Sequence, residues 1–297
     1  MFYYGGQAVL EGVMMRGRDR IAVAVRRPDS SIAMMTEPLD PRIFSGAIAR
    51  TPFLRGIVML WEMMSLGIKA MAYSARVLSG EEEQDKSGGS GLGPTVALSL
   101  AFSVGLFFLL PLGVASLADP WLPTDLLKNG FEGAVRLGVL VLYILAIGRI
   151  PEIRRVFGYH GAEHKTVNAY EAGAELTPRE VARYSTRHPR CGTGFLLFVV
   201  LVSVFVFALA GWPSWWLRIL SRIVLVPVIA SIAYELIRLG ARYYHLTPVR
   251  LLLAPSLAMQ GLTTREPDEG MLEVAITALE AVLPERVPQA AAAPELV

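Results

Sequence analysis

The sequence predicts a mainly α-helical integral membrane protein, with about four transmembrane helices, interfacial helices and a small N-terminal β unit on the cytoplasmic side. Three observations predict it. Of 297 residues, 53% are apolar and only 18% charged, against roughly 25% charged in a soluble domain. Mean hydropathy is +0.45, and the apolar residues gather in runs of about the 20 residues a bilayer requires. Basic residues gather instead in one segment between two of those runs.

Residues 1–40 read as the β unit. IAVAVRR and SIAMMTEPL have strand composition, and Pro28-Asp29-Ser30-Ser31 supplies a turn between them. No basic stretch followed by an apolar core opens the chain, so no cleavable signal peptide is expected. Within 41–80, residues 53–79 read as an amphipathic helix. Glu62, Lys69 and Arg76 recur every seven residues and form a narrow polar stripe, which suits a helix lying in the interface or packed on the bundle. As a fifth span it would place three charges in the membrane, which is costly. EEEQDKSGGSGLG, residues 81–93, is a solvated linker.

Four runs then reach spanning length, at about 94–117, 132–150, 193–211 and 217–239. They pair into two transmembrane hairpins, 94–150 and 193–240, separated by the segment 151–192. Residues 241–297 form a C-terminal helical segment and tail. A second amphipathic helix is expected over 266–283, and QAAAAPELV at the end has the composition of a disordered tail.

The segment 151–192 carries Arg154, Arg155, Lys165, Arg179, Arg183, Arg187 and Arg190. The links on the other side hold Lys128 against Asp119 and Asp125, or no charge at all in GWPSW. The excess of basic residues places 151–192 and both termini in the cytoplasm. Trp212, Trp215 and Trp216 suit the opposite headgroup interface. A single cysteine, Cys191, excludes an internal disulfide and fits a reducing compartment. The net charge of +2 gives no reason to expect a nucleic-acid partner. The expected surroundings are the lipid bilayer, with a protein partner at the cytoplasmic face as a further possibility.

The chemistry concentrates in His160-Gly161-Ala162-Glu163-His164. Only four histidines occur in the chain, and two flank this glutamate. On a helix, residues four apart share a face, so His160 and His164 can offer two imidazole nitrogens to one divalent cation, zinc above all. Glu163 is then placed as general base toward a water activated by the metal, as in the inverted zinc-peptidase pattern H-x-x-E-H. His188 and Cys191, three residues apart at the far end of the segment, would complete an N₃S set. Glu171 and Glu175 are alternative third ligands. Cys191 precedes a span, where a helix N-terminus favours thiolate; the opposing possibility is a thiol buried as a small apolar group. Glu235 is either a partner of Arg238 one turn away or a further ligand. His245 reads as an interface residue.

Two other regions are candidates. Glu11 and Arg16, the only charges within GGQAVLEGVMMRG, can bind substrate or headgroup, or form a structural ion pair. Gln260 and the run Thr263-Thr264-Arg265-Glu266-Pro267 read as a polar turn that caps the last helix. Arg190 belongs to the His188–Cys191 run.

GGQAVLEGVMMRG, GYHGAEHKTVNAYEAG, HPRCGTGF, AYELIR and QGLTTREP occur together and in this order. This combination resembles the YqhQ-like family of bacterial membrane proteins, a domain of unknown function, from about Gly5 to Leu283. The resemblance implies a bacterial inner-membrane protein with these motifs at its functional core, in a family described as metal-dependent enzymes. Two functions follow. One is a metal-dependent, hydrolase-like enzyme at the cytoplasmic face, with a lipid headgroup or a membrane-proximal peptide as substrate. The other is a non-catalytic scaffold for membrane-protein or envelope biogenesis, with a structural metal or none. A small transporter is weaker, because the spans carry almost no charge near mid-membrane.

Overall fold

The computed structural model describes residues 4–40, 51–80 and 92–284. Residues 41–50, nearly all of the linker expected over 81–93, and the tail from 285 lie outside the described residues. The chain is mainly helical, with a four-stranded antiparallel sheet at its N-terminus.

The strands are β1 (Gly5–Val9), β2 (Gly12–Arg16), β3 (Arg20–Arg26) and β4 (Ile32–Pro38), paired in the order β1-β2-β3-β4. The register sets Gln7 opposite Met14, Val13 opposite Ala24 and Val23 opposite Met35. Successive side chains of a strand face opposite ways, and here both faces are covered. Val13, Met15, Ala22 and Ala24 pack on helices α5 (Pro151–Glu171) and α11 (Glu269–Glu280). Met14, Ile21, Val23 and Val25 pack with Ala70 and Val77 of helix α1 (Leu54–Ser79). Two-sided burial explains the continuous apolar run Ile21–Val25, where a half-exposed strand would alternate. The expected turn lies between β3 and β4, with Ser30 at φ 70°. β1 and β2 come from the glycine-rich run, which carries no strand signature.

Among the described residues, three helical segments are long and apolar enough to cross a membrane: Gly93–Leu117, Asp125–Ile147 and Gly192–Ala210. The first comprises α2 (Leu92–Val104), a π-turn at Gly105–Leu109 and α3 (Leu110–Leu117). The others are α4 (Asp125–Ile147) and α7 (Gly192–Ala210). The fourth run is not one straight helix. It divides into α8 (Trp215–Val224) and α9 (Val226–Arg242), bent by 45°. The break at Leu225 precedes Pro227, which cannot donate an amide to a preceding turn and would clash with the carbonyl of Ile223. α7 is the hub: Phe198, Val202 and Phe207 pack against Ile229 and Ala233 of α9.

α1 is not among the helices apolar enough to span. Its first turns lie on α9, where Gly56 is so close to Tyr234 and Ser231 that a methyl group would contact them at 3.2–3.3 Å. Its last turns cover the sheet. Beyond α9, helix α10 (Thr247–Thr263) packs on α7 and α4. The polar turn expected at Gln260 is therefore the last turn of a helix, which ends where Thr264 becomes extended. The segment 151–192 is largely α5, followed by the short α6 (Pro178–Val181) and an irregular stretch to Cys191.

Candidate metal centre

α5 begins with Pro151 in its first turn, a position where the missing amide costs nothing. It then packs beside α11 on one face of the sheet, burying Tyr159, Ala162, Glu163, His164 and Val167. Gly161 is required here by space. A Cβ on it would lie 2.0 Å from the carbonyl oxygen of Arg265, so the 264–267 segment crosses the helix in direct backbone contact. That segment is pinned by the Arg265 amide, which donates to the Phe157 carbonyl at 2.8 Å.

His160 and His164 are one turn apart, with ring centroids 4.4 Å apart. Each is oriented by a main-chain carbonyl: His160 Nδ1 lies 2.9 Å from the oxygen of Thr263, and His164 Nδ1 lies 2.6 Å from that of Thr186. A carbonyl only accepts, so both Nδ1 atoms carry the proton and both Nε2 lone pairs remain available. Cys191 Sγ lies 3.3 Å from His160 Nε2. The ligand atoms of His160, His164 and Cys191 all fall within 4.8 Å of one another. Cys191 is the N-cap residue of α7, with the Thr193 amide 3.4 Å and its hydroxyl 2.8 Å from the sulfur.

Glu163 is buried beside this group. Its Oε1 accepts the Gly6 amide at 2.8 Å. Its Oε2 lies 3.5 Å from His164 Nε2, so two acceptors face one another across a small space, an arrangement that a bound cation or a shared proton relieves. Gly6 has no room for a side chain, since a Cβ would lie 2.2 Å from the Met14 carbonyl. The GGQ run of β1 thus serves Glu163.

His188 is brought near but is not one of the three. Its ring centroid is 5.7 Å from that of His164. Its backbone is held from both sides by the buried Gln260 amide, Oε1 accepting from His188 N and Nε2 donating to His188 O, both at 2.9 Å. Its Nε2 is buried without a hydrogen bond and lies 3.7 Å from Glu171 Oε2. Glu171 also pairs with Arg190. Burial alone would raise the Glu171 carboxyl, but the His188 ring and the Arg190 guanidinium outweigh it and hold the group below the usual carboxylate range.

The remaining candidates lie elsewhere. Glu235 is in a two-pronged ion pair with Arg55 of α1, Oε1 accepting Nε at 2.7 Å; it lies outside the histidine group, and Arg55 rather than Arg238 is its hydrogen-bonded partner. Glu11, left-handed at φ 50°, pairs with Arg155 and accepts the Tyr159 hydroxyl at 3.3 Å. Arg16 faces Glu62 of α1 at 3.5 Å, both largely buried. Glu11 and Arg16 therefore fasten the sheet to α5 and α1. Arg265 donates its guanidinium to the carbonyls of Gly261 and Thr264. Glu175 makes no part of the cluster. Three contributors have no signature in the sequence: the carbonyls of Thr186 and Thr263 and the amide of Gly6. Main-chain groups carry no residue code, and only the glycine at position 6 hints at one.

A family model described as Protein of unknown function (DUF1385) matches residues 51–285. The chain belongs to the DUF1385 family. A Bacillus subtilis (strain 168) relative, named Uncharacterized protein YqhQ, is 35% identical over 292 residues, covering 94% of this chain and 92% of its own. No solved structure matches. The His160–His164 run on α5 and the Cys191 cap of α7 fall within the matched residues.

Proposed function

We propose that this DUF1385 chain is a multi-pass inner-membrane protein, both termini cytoplasmic, whose cytoplasmic cap holds a divalent metal, zinc by donor chemistry, for hydrolysis at the membrane face. One observation carries the reading: two imidazoles share a face with Nδ1 tied to carbonyls and Nε2 free, and a thiol meets them from the cap of α7. Histidine ligands of metal sites are oriented in this way by a partner on the other ring nitrogen. Two nitrogens and one sulfur fit zinc. Three protein ligands leave one position open, as in catalytic sites, whereas a fourth would close a structural one. His188, turned toward Glu171, supports the open form.

When bound, the metal would polarise a carbonyl or phosphoryl oxygen and lower the pKa of a water. The protein's own residues divide the other tasks. Thr263 and Thr186 hold the two rings, and the Gly6 amide fixes one oxygen of Glu163. Its second oxygen faces the histidines and is the base that takes a proton from the attacking water. Burial by the sheet, α11 and the 264–267 crossing excludes bulk water. A lipid headgroup or a membrane-proximal peptide is the substrate that this position serves.

Glu163→Gln is the test. The amide can still accept the Gly6 amide proton but cannot act as a base. The variant is expected to keep its metal, measured by elemental analysis, and to fail to complement a deletion strain. Full complementation by a folded Glu163→Gln protein would sink the catalytic role and favour a scaffold.

A further inference from the structure

Beside the stretch that orients His164 lies a cavity of about 460 Å³, lined by residues that include Asn168, Tyr184, Arg187, Pro189, Tyr244 and Leu257. It sits where the 182–191 stretch passes over the junction of α9 and α10. Its wall is fixed. Asn168 Nδ2 donates to the carbonyls of Ser185 and Arg187 at 2.8 and 3.0 Å, Thr186 O is held by His164, and His188 is clamped by Gln260. Tyr184 and Arg187 line the cavity.

Its chemistry is mixed. Among the described residues, the Arg187 guanidinium and the Tyr184 and Tyr244 hydroxyls have no hydrogen-bond partner. The contrast is with Arg155, Arg183 and Arg190 of the same segment, each of which sits on a carboxylate. Arg250 lies over the Tyr244 ring at 5.7 Å and adds positive potential. No carboxylate lines the cavity. Leu257 and Pro189 supply an apolar side, and the adjoining α9–α10 junction exposes Tyr243, Leu246, Leu251 and Leu252, the last two more than two-thirds exposed. A guanidinium and two phenols suit phosphate oxygens. Exposed leucines and tyrosines beside them suit the boundary of a bilayer.

We propose that this cavity binds the phosphate of an anionic phospholipid, with the acyl chains leaving along the exposed face of α10. The inference rests on the membrane-face placement of the proposed function, not on the metal. Because Thr186, which orients His164, lies in the chain between the lining residues Ser185 and Arg187, a lipid seated here would be held by the segment that shapes the proposed metal centre.

The test uses the full chain in detergent, with native mass spectrometry against phosphatidylglycerol, phosphatidylcholine and inorganic phosphate. One phosphatidylglycerol per chain is expected to be retained, and phosphatidylcholine far less. Losing one charge-assisted contact is worth roughly tenfold in affinity, so Arg187→Gln and Tyr244→Phe should each lower retention by about that factor, whereas Arg154→Gln should not. Equal retention by Arg187→Gln, or equal binding of phosphatidylcholine, would overturn the site. Displacement of the lipid by inorganic phosphate at comparable concentration would assign the cavity to free phosphate instead. Metal content measured on the same samples separates the two ideas: lipid bound without metal would end the metal reading alone, and metal without lipid would end this one alone.

Discussion

Gly161 is the residue on which the centre's geometry turns. The pattern H-x-x-E-H shows two histidines on one face, but not why glycine follows the first. The reason is the Arg265 carbonyl, which occupies the space of a Cβ. Gly161→Ala must push the 264–267 crossing away from α5. A forced backbone shift of this kind costs roughly 1–3 kcal/mol, and it would also move the Thr263 carbonyl that holds His160. The variant should melt earlier in detergent and bind metal more weakly. Glu171 offers a test in pH. Its folded pKa lies below that of the unfolded chain, so its stabilisation is complete above the ordinary glutamate value of about 4.3 and is lost only as pH falls through the lower folded value. Glu171→Gln should therefore lower the melting temperature at neutral pH and lose that difference in strong acid, as followed by thermal unfolding. His160, Glu163, His164 and Cys191 were legible because side-chain chemistry and helical spacing are written in the sequence. The Gly6, Thr186 and Thr263 main-chain contacts were not, since tertiary approach alone creates them.

At the scale of elements, the apolar bundle hides a charged knot. Glu132 of α4 accepts from Arg136 and from Arg222 of α8, each at 2.5 Å, and Arg222 also reaches Asn129 at 2.9 Å. Arg136 continues to Ser203 of α7 and to the Phe107 carbonyl, 2.9 Å away. That carbonyl lies in the π-turn Gly105–Leu109, where the altered helical pairing frees an acceptor. Four helical segments are thereby fastened by one carboxylate and two guanidiniums, all almost wholly buried. Removing one member of a buried ionic set costs roughly 3–5 kcal/mol, because the remaining charges stay desolvated. Glu132→Ala should lower stability by about that amount, and Ser203→Ala by about 1 kcal/mol, measured by thermal unfolding in detergent. From sequence, Glu132 and Arg136 appear only as charges near the end of an apolar run. The four-residue spacing reveals that pair, but the convergence of Arg222 depends on the bend before Pro227. The seven-residue stripe of α1 is legible in the sequence, but not that it faces the sheet, with Glu62 buried against Arg16 and Lys69 meeting Glu37, while Trp61 and Met64 are exposed. That its two ends serve different partners, α9 and the sheet, is a property of packing.

For the whole molecule, the sequence already separates apolar helices from an N-terminal β unit, because composition and run length report the solvent of each part. It does not show that the unit has four strands enclosed between α1 on one side and α5 with α11 on the other, since glycine-rich β1 and β2 lack strand composition. Nor does it show that the 151–192 segment, the sheet and the α10–α11 connection meet at one end of the bundle. Sidedness is testable directly, because Cys191 is the single native thiol. In a Cys191→Ser background, a cysteine placed at Ser214 should react with an impermeant reagent in intact cells, and one placed at Arg154 only after permeabilisation. The most direct measurement of the central claim is X-ray absorption on the purified full-length protein. One zinc per chain is predicted, with one sulfur near 2.3 Å and two nitrogens near 2.0–2.1 Å, the sulfur lost in Cys191→Ser. No stoichiometric metal in the folded protein, or a metal whose shell lacks sulfur, would contradict it.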